Sequence, residues 1–150
     1  MHATIDRTVI ESALIPPVLF VRWKSRCDPE DVIRIQSETA AAHRELGSNL
    51  VYIASIPVGV PPPDAEARAA LRSGTEHASM HCSSVHLVIE GQGLRRAIIR
   101  SVSAGLLLAT RASFSIHTHV EEALRAASER VPISVTDLLA SASRAGLVTP

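Results

Sequence analysis

The sequence predicts an α/β domain: a mixed, mostly parallel sheet of about five strands with helices packed on it. Two observations lead to this prediction. Short β-branched and aromatic segments alternate with segments of helical spacing along the 150-residue chain. The segment at 49–56 (NLVYIASI) is also apolar at consecutive positions, as in a strand buried on both faces of a parallel sheet. Such alternation favours right-handed crossovers with helices covering the sheet.

Length and composition indicate one folded domain spanning residues 1–150. The chain is 46% hydrophobic and 20% charged, which suffices for a core without disulfides or metals. Its net charge is zero and it has no long basic run, so general nucleic-acid binding is not expected. The longest apolar stretches, 14–21 and 104–109, are far shorter than the roughly 20 residues of a transmembrane helix.

The N-terminal residues and the cysteines favour a cytoplasmic location. No basic segment followed by an apolar run and a cleavage site opens the chain, so secretion is not expected. Cys27 and Cys82 lie far apart and suit neither a disulfide framework nor a paired-thiolate zinc motif. We therefore expect reduced thiols.

The first elements are two strands and a helix. Strands are expected at 4–10 and 17–24, the second containing VLFVRWK. Asp28 is suited to cap a helix that has Pro29 at its first position. Apolar residues then recur at helical spacing until Gly47, a plausible C-cap.

The strand at 49–56, the expected centre of the sheet, leads into a proline loop at 57–63 (PVGVPPP). Proline cannot donate to a strand ladder, so the loop ends the strand and is stiff. Asp64 is suited to cap a second helix that runs toward Met80. Gly74 is expected to weaken the middle of that helix by about 1 kcal/mol relative to Ala.

The rest of the chain continues the alternation of strands and helices. We expect a strand at 85–90, a helix at 94–110, a strand at 113–120 and helices at 121–130 and 135–145. Alternation in the last strand places Phe114 and Ile116 on one side and Ser115 and His117 on the other. The core is expected within about 4–130, with an extra C-terminal helix at about 134–145.

Four segments together resemble the STAS domain of anti-sigma factor antagonists and the broader group of STAS-like and lipid-binding proteins. They are VLFVRWK at 18–24, NLVYIASI at 49–56, VHLVIEG at 85–91 and SFSIHTHVEEAL at 113–124. The resemblance implies a domain that binds a protein, nucleotide or lipid without chemistry of its own. Some members are switched by phosphorylation of a serine where the third strand meets its helix. Here that junction holds Asp64 and Ala65, and Ser55 lies within the strand, so the switch lacks a matching serine.

A glycine turn before the third helix is a candidate anion site. Gly91, Gln92 and Gly93 precede the helix start, where backbone N–H groups and the helix dipole favour a phosphate or carboxylate, and Arg95 and Arg96 add positive charge. A dinucleotide-binding fingerprint would need glycine in place of Arg96. The alternative is a tight turn with solvated arginines.

A second candidate binding region is the proline loop, with Pro61, Pro62 and the capping residue Asp64. Open α/β sheets place ligands beyond the carboxyl ends of their strands, at a topological switch point. A stiff loop there would bind with a low entropy cost, and the alternative is a rigid connector. Trp23 would be a partner-binding anchor if exposed, but burial in a small core is the commoner situation.

The seven histidines raise the alternative of a metal site, although we expect no metal and no cofactor. His77 and His81 are four residues apart and share a helix face. Further candidate ligands are Cys82, His86, His117 and His119. Alanine follows His77, where a zinc-protease helix has glutamate. No nucleophile elbow occurs, and the sequence shows no nucleophile beside His86 or His117, so no catalytic triad is predicted.

These observations predict a non-enzymatic module that docks a protein or peptide partner, with a sheet edge available for strand addition. The third helix carries more apolar residues than one sheet face requires, which favours a homo-oligomer, with a dimer as the first expectation. One alternative is a carrier or sensor that holds a small molecule, an anion or a lipid between the proline loop and Gly91–Gly93. Another is a metal-dependent enzyme that uses the histidines.

Overall fold

A computed structural model describes residues 10–24, 28–61, 63–93, 96–97, 99–102, 105 and 114–148. Its strands are β1 (Ile10–Ile15), β2 (Val18–Trp23), β3 (Val51–Ile56), β4 (Ser84–Ile89) and β5 (Phe114–His117). Its helices are α1 (Pro29–Leu46), α2 (Ala65–His81), α3 (Val120–Ala127) and α4 (Val135–Arg144). A 3₁₀ turn at Gly47–Asn49 follows α1. Residues 96–97, 99–102 and 105, between β4 and β5, are also helical.

The five strands form one sheet in the order β1-β2-β3-β4-β5. β1 pairs antiparallel with β2, and the other neighbours are parallel. The predicted α/β fold with a mixed, mostly parallel sheet is therefore confirmed, and β3 is its central strand. Because the strand order follows the chain order, the described sheet contains no reversal of strand order.

The first strand continues past its predicted end at residue 10. β1 runs directly up to a proline pair, and Ile15 pairs with Val18 across Pro16-Pro17, whose peptide bond is cis. Residues without a backbone N–H suit the turn of this hairpin better than its ladder. The strand expected at 4–10 is thus confirmed at its one described residue, Ile10, whereas residues 11–15 were not expected to belong to it. Residues 4–9 lie outside the described residues.

All three capping predictions are confirmed. The Asp28 side chain accepts a hydrogen bond from the N–H of Glu30 (3.0 Å), with Pro29 at the start of α1. At the other end, Gly47 has a φ of 60°, which suits glycine, and its N–H bonds to His43. The Asp64 side chain accepts from the N–H of Ala67 (2.8 Å) at the start of α2.

The sheet has two covered faces, which we call the α1–α2 face and the α3–α4 face after their helices. Buried residues on the first include Leu19, Val21, Trp23, Val32, Ile35, Ala54, Ile56, Leu87 and Ile89. Those on the second include Val18, Phe20, Val51, Ile53, Val88, Ala123, Leu124, Leu138 and Ala142. Neighbouring residues of each strand belong to opposite faces, as strand geometry requires.

The predicted alternation of β5 is confirmed by this division. Phe114 and Ile116 pack against the core of the α1–α2 face. Ser115 and His117 point to the other side, where both bond to His86. The third helix is described only in part, with Ile99 buried. Its remaining apolar residues 98 and 106–108 lie outside the described residues, so self-association through this helix stays a prediction.

Candidate functional site

The loops after β3 and β4 meet at the carboxyl end of the sheet. Val60 is buried at 3% exposure, whereas Val58 is 71% exposed. A Cβ on Gly91 would lie 2.4 Å from Cγ2 of Val58, so Val58 rests on the backbone of the glycine turn. Together Val58, Gly59, Gly91, Gln92 and Gly93 form what we call the carboxyl-end surface.

Hydrogen bonds hold the elements beneath this surface together. The N–H of Glu90 donates to the carbonyl of Ile56 at 3.0 Å, which continues the pairing of β3 and β4 past their ends. Arg96 donates from Nε to the carbonyl of Ile89 (3.3 Å) and from Nη2 to Oγ1 of Thr118 (2.6 Å). Arg96 is therefore engaged with the ends of β4 and β5, in contrast to the expected solvated or anion-binding arginine. Arg95 lies outside the described residues.

The structure separates the predicted binding residues. Gln92 and Gly93 are exposed on the carboxyl-end surface, Pro61 is half-buried, and Pro62 lies outside the described residues. Asp64 is exposed and caps α2. The crevice expected between the proline loop and the glycine turn depended on a topological switch point. The described sheet has no reversal of strand order to create one, and Val58 occupies the space above Gly91.

Trp23 lies in the core of the α1–α2 face. It is 5% exposed, which confirms the expected burial and removes it as a surface anchor. It instead borders a cavity of about 70 Å³ between the sheet and the helices α1 and α2. The wall includes Val21, Trp23, Ile35, Gln36, Thr39, Tyr52, Ala54, Leu71, Gly74, Thr75, Leu87 and Phe114. The cavity was not predicted, because local sequence patterns do not indicate how completely the helices fill the space above the sheet.

A chain of polar side chains crosses the α3–α4 face at β4 and β5. His86 is buried, with Nε2 2.9 Å from Oγ of Ser84 and Nδ1 2.7 Å from Oγ of Ser115. His117 Nε2 is 2.8 Å from the same Ser115 oxygen and 3.1 Å from His86 Nδ1. The hydroxyl of Ser115 thus lies between two imidazoles.

The surroundings keep these histidines neutral. Burial lowers the pKa of His86 to about 4, because a protonated ring would lose its hydration and would be repelled by Arg130 and by any proton on His117. Burial also lowers the pKa of His117, against the opposing influence of the Glu122 carboxylate. A neutral imidazole accepts a hydrogen bond through one nitrogen and donates one through the other, which satisfies this chain of hydroxyls.

The sequence analysis found no nucleophile beside His86 or His117, and the structure corrects this. The register of β4 and β5 pairs His86 with Ser115, and period-two alternation places His117 on the same side. That pairing was the signal that could have identified the cluster. Among the described residues no carboxylate bonds to either ring, so the orienting third member of a catalytic triad is not seen.

Three further histidines form a separate cluster where α1 meets α2. The rings of His77 and His81 stack with centroids 4.2 Å apart, which confirms their predicted shared face, and His43 meets His81 edge-on at 5.0 Å. Burial and the neighbouring His81 lower the pKa of His77. Burial raises the pKa of Cys82 to about 12, which disfavours the thiolate. The proposed ligands are thus split between two places, and the described residues contain no group of three or more that could hold a metal ion.

No protein-family model matches this chain, and no curated protein or solved structure matches it either. The STAS-like resemblance therefore stays a prediction from the sequence. Within the described parts of the chain, no helix has the length and apolar character needed to cross a bilayer.

Proposed function

We propose that this chain is a non-enzymatic binding module that docks a protein partner on the carboxyl-end surface. The observation that carries the proposal is the exposed Val58 side chain, held on Gly91 by a loop that Val60 anchors in the core. An apolar side chain presented from a fixed backbone is suited to fill a pocket of a partner.

The shape of this surface favours a macromolecule over a small ligand. Small molecules bind in concave sites that bury most of their area. Here the space between the two loops is filled by Val58, and Gln92 and Gly93 are exposed beside it. Arg96, the described arginine of the glycine turn, donates to Ile89 and Thr118, which weakens the case for an anion carrier. An exposed surface without charged residues suits the face of another protein.

The described residues of these loops are also anchored before any partner arrives. Val60 is buried, Asp64 caps α2, and Arg96 joins the ends of β4 and β5. Ordering a loop on binding costs about 0.5–1.5 kcal/mol for each immobilised side chain, and a fixed loop avoids much of that cost. The STAS-like resemblance supports the same proposal, because it implies a domain that acts by binding partners.

Site-specific photo-crosslinking tests the proposal. A photoreactive amino acid replaces Val58 in one variant and Ile33 in another, and both proteins are irradiated in their host cells. Ile33 is a matched control because it is an exposed aliphatic residue (62%) that belongs to α1 and to neither loop. We expect a discrete protein adduct from position 58 that position 33 does not give.

The partner identified in the adduct is then purified on its own. Its affinity is measured for the wild-type chain and for variants that carry no photoreactive residue. Val58→Asp is expected to weaken binding at least about tenfold, because binding would bury an unpaired carboxylate. A tenfold change in affinity corresponds to about 1.4 kcal/mol. Ile33→Asp should bind like the wild type. Equal adducts at both positions, or unchanged affinity for Val58→Asp, would contradict the proposal. Val58 is mostly exposed, so its substitution leaves the fold intact.

A further inference from the structure

We propose that the cavity on the α1–α2 face is a binding site for a small, uncharged, apolar molecule. This site is separate from the carboxyl-end surface and does not depend on a protein partner docking there. Three of the four aromatic side chains in the sequence border the cavity. They are Trp23, Tyr52 and Phe114, which come from three different strands.

Most of the cavity wall is apolar, and two of its polar side chains bond within their own helices. The hydroxyl of Thr39 donates to the carbonyl of Ile35 at 2.7 Å, one turn earlier in α1. The hydroxyl of Thr75 likewise donates to the carbonyl of Leu71 at 2.8 Å in α2. Both threonines therefore present mainly their methyl groups to the interior. A water molecule needs two to four polar partners to be stable in a cavity, so this wall favours an apolar occupant over water.

The size and charge of the site define the ligand class. A water molecule occupies about 10–15 Å³ of such space, so a cavity of about 70 Å³ admits roughly five or six heavy atoms. The described wall contains no Lys, Arg, Asp or Glu, so a charged ligand would lose its hydration without gaining a partner. A benzene-sized hydrocarbon ring is the upper limit of this size and carries no charge.

Methyl-resolved NMR of the full chain tests the proposal with benzene as the probe. We expect saturable shifts in the methyl groups of Ile35, Leu71 and Leu87, which border the cavity. The methyl groups of Val88 and Leu124, on the α3–α4 face, should not shift. Sodium benzoate is the matched charged probe, because it adds a carboxylate to the same ring, and it should leave both faces unchanged.

A cavity-filling variant locates the bound probe. Ala54→Leu places three more carbons in the cavity and is expected to weaken benzene binding at least about tenfold, whereas Ala69→Leu, at an exposed position on α2, should bind like the wild type. If Ala54→Leu does not fold, xenon with the wild-type protein replaces it, and the same methyl groups should shift. Non-saturating shifts on both faces, benzoate binding at the cavity, or benzene binding unchanged by the filled cavity would each overturn the proposal.

Discussion

The two faces of the sheet differ in how their side chains fill the core. The α1–α2 face is lined by large apolar side chains, yet it leaves a cavity of about 70 Å³ beside Trp23. The α3–α4 face packs Phe20 and Leu124 tightly and also buries His86 with its bonded serines. Space is thus left on the mainly apolar face, while the polar cluster around His86 on the other face is hydrogen-bonded.

This contrast follows from the alternation of β4 and β5. Val85, Leu87 and Phe114 point toward α1 and α2, whereas His86 and Ser115 point toward α3. An apolar surface can tolerate a small void because the loss is limited to missing dispersion contacts. An unmade hydrogen bond of a buried imidazole costs more, because the ring nitrogen loses its contact with water and gains no partner. The side-chain positions on the α3–α4 face are therefore more strictly determined than those on the α1–α2 face.

Truncating a phenylalanine on each face should give the largest difference in stability. Phe20→Ala removes a ring that is 2% exposed, and it is expected to cost about 3–5 kcal/mol of unfolding free energy. Phe114→Ala should cost about half as much, because its ring is half-buried and already borders the cavity. Urea unfolding followed by circular dichroism measures both. Equal losses would show that the cavity is closed by neighbouring side chains in solution.

The polar network should make the α3–α4 face sensitive to acid. In the unfolded chain His86 binds a proton below its ordinary pKa of 6.5, whereas the folded protein resists protonation until about pH 4. The unfolded state therefore binds more protons in this window, and unfolding free energy falls as the pH falls. The loss from His86 is about 3 kcal/mol between pH 6.5 and pH 4. The lowered pKa of His117 acts in the same direction.

Unfolding free energies of the wild type and His86→Gln, measured across this pH range, isolate that contribution. His86→Gln is expected to be less stable at pH 7, because it loses ring hydrogen bonds, but to have a shallower pH dependence. His119→Gln, at an exposed position just past β5, should keep the wild-type slope. If His86→Gln and the wild type lose stability in parallel on acidification, His86 does not carry the pH dependence.

The sequence predicted features that depend on neighbouring residues and missed those that depend on packing between layers. The caps at Asp28, Gly47 and Asp64 were predictable because each is a local hydrogen bond or backbone conformation. The strand order depends on contacts between residues that are distant in sequence. The described sheet has no reversal of strand order, and the expected crevice depended on one. The cluster around Ser115 was missed for the same reason, since it requires the register of two strands that are far apart in the chain.

Gly74 provides the smallest and most selective test, because it asks whether the cavity arises from loosely packed helices. Propensity alone predicts that Gly74→Ala stabilises α2 by about 1 kcal/mol. The added Cβ would lie 2.8 Å from Cγ1 of Val32 on α1, so we expect a net loss of about 1 kcal/mol instead.

The double variant with Val32→Ala removes the obstructing methyl groups, and Gly74→Ala should then become neutral or stabilising. A double-mutant cycle of urea unfolding measures this coupling. Stabilisation of the otherwise wild-type protein by Gly74→Ala would mean that α1 yields easily and that the cavity reflects loose helix packing. The expected loss would instead show that α1 and α2 interlock at Gly74, and that the cavity persists because two rigidly packed helices cannot collapse onto the sheet beside Trp23.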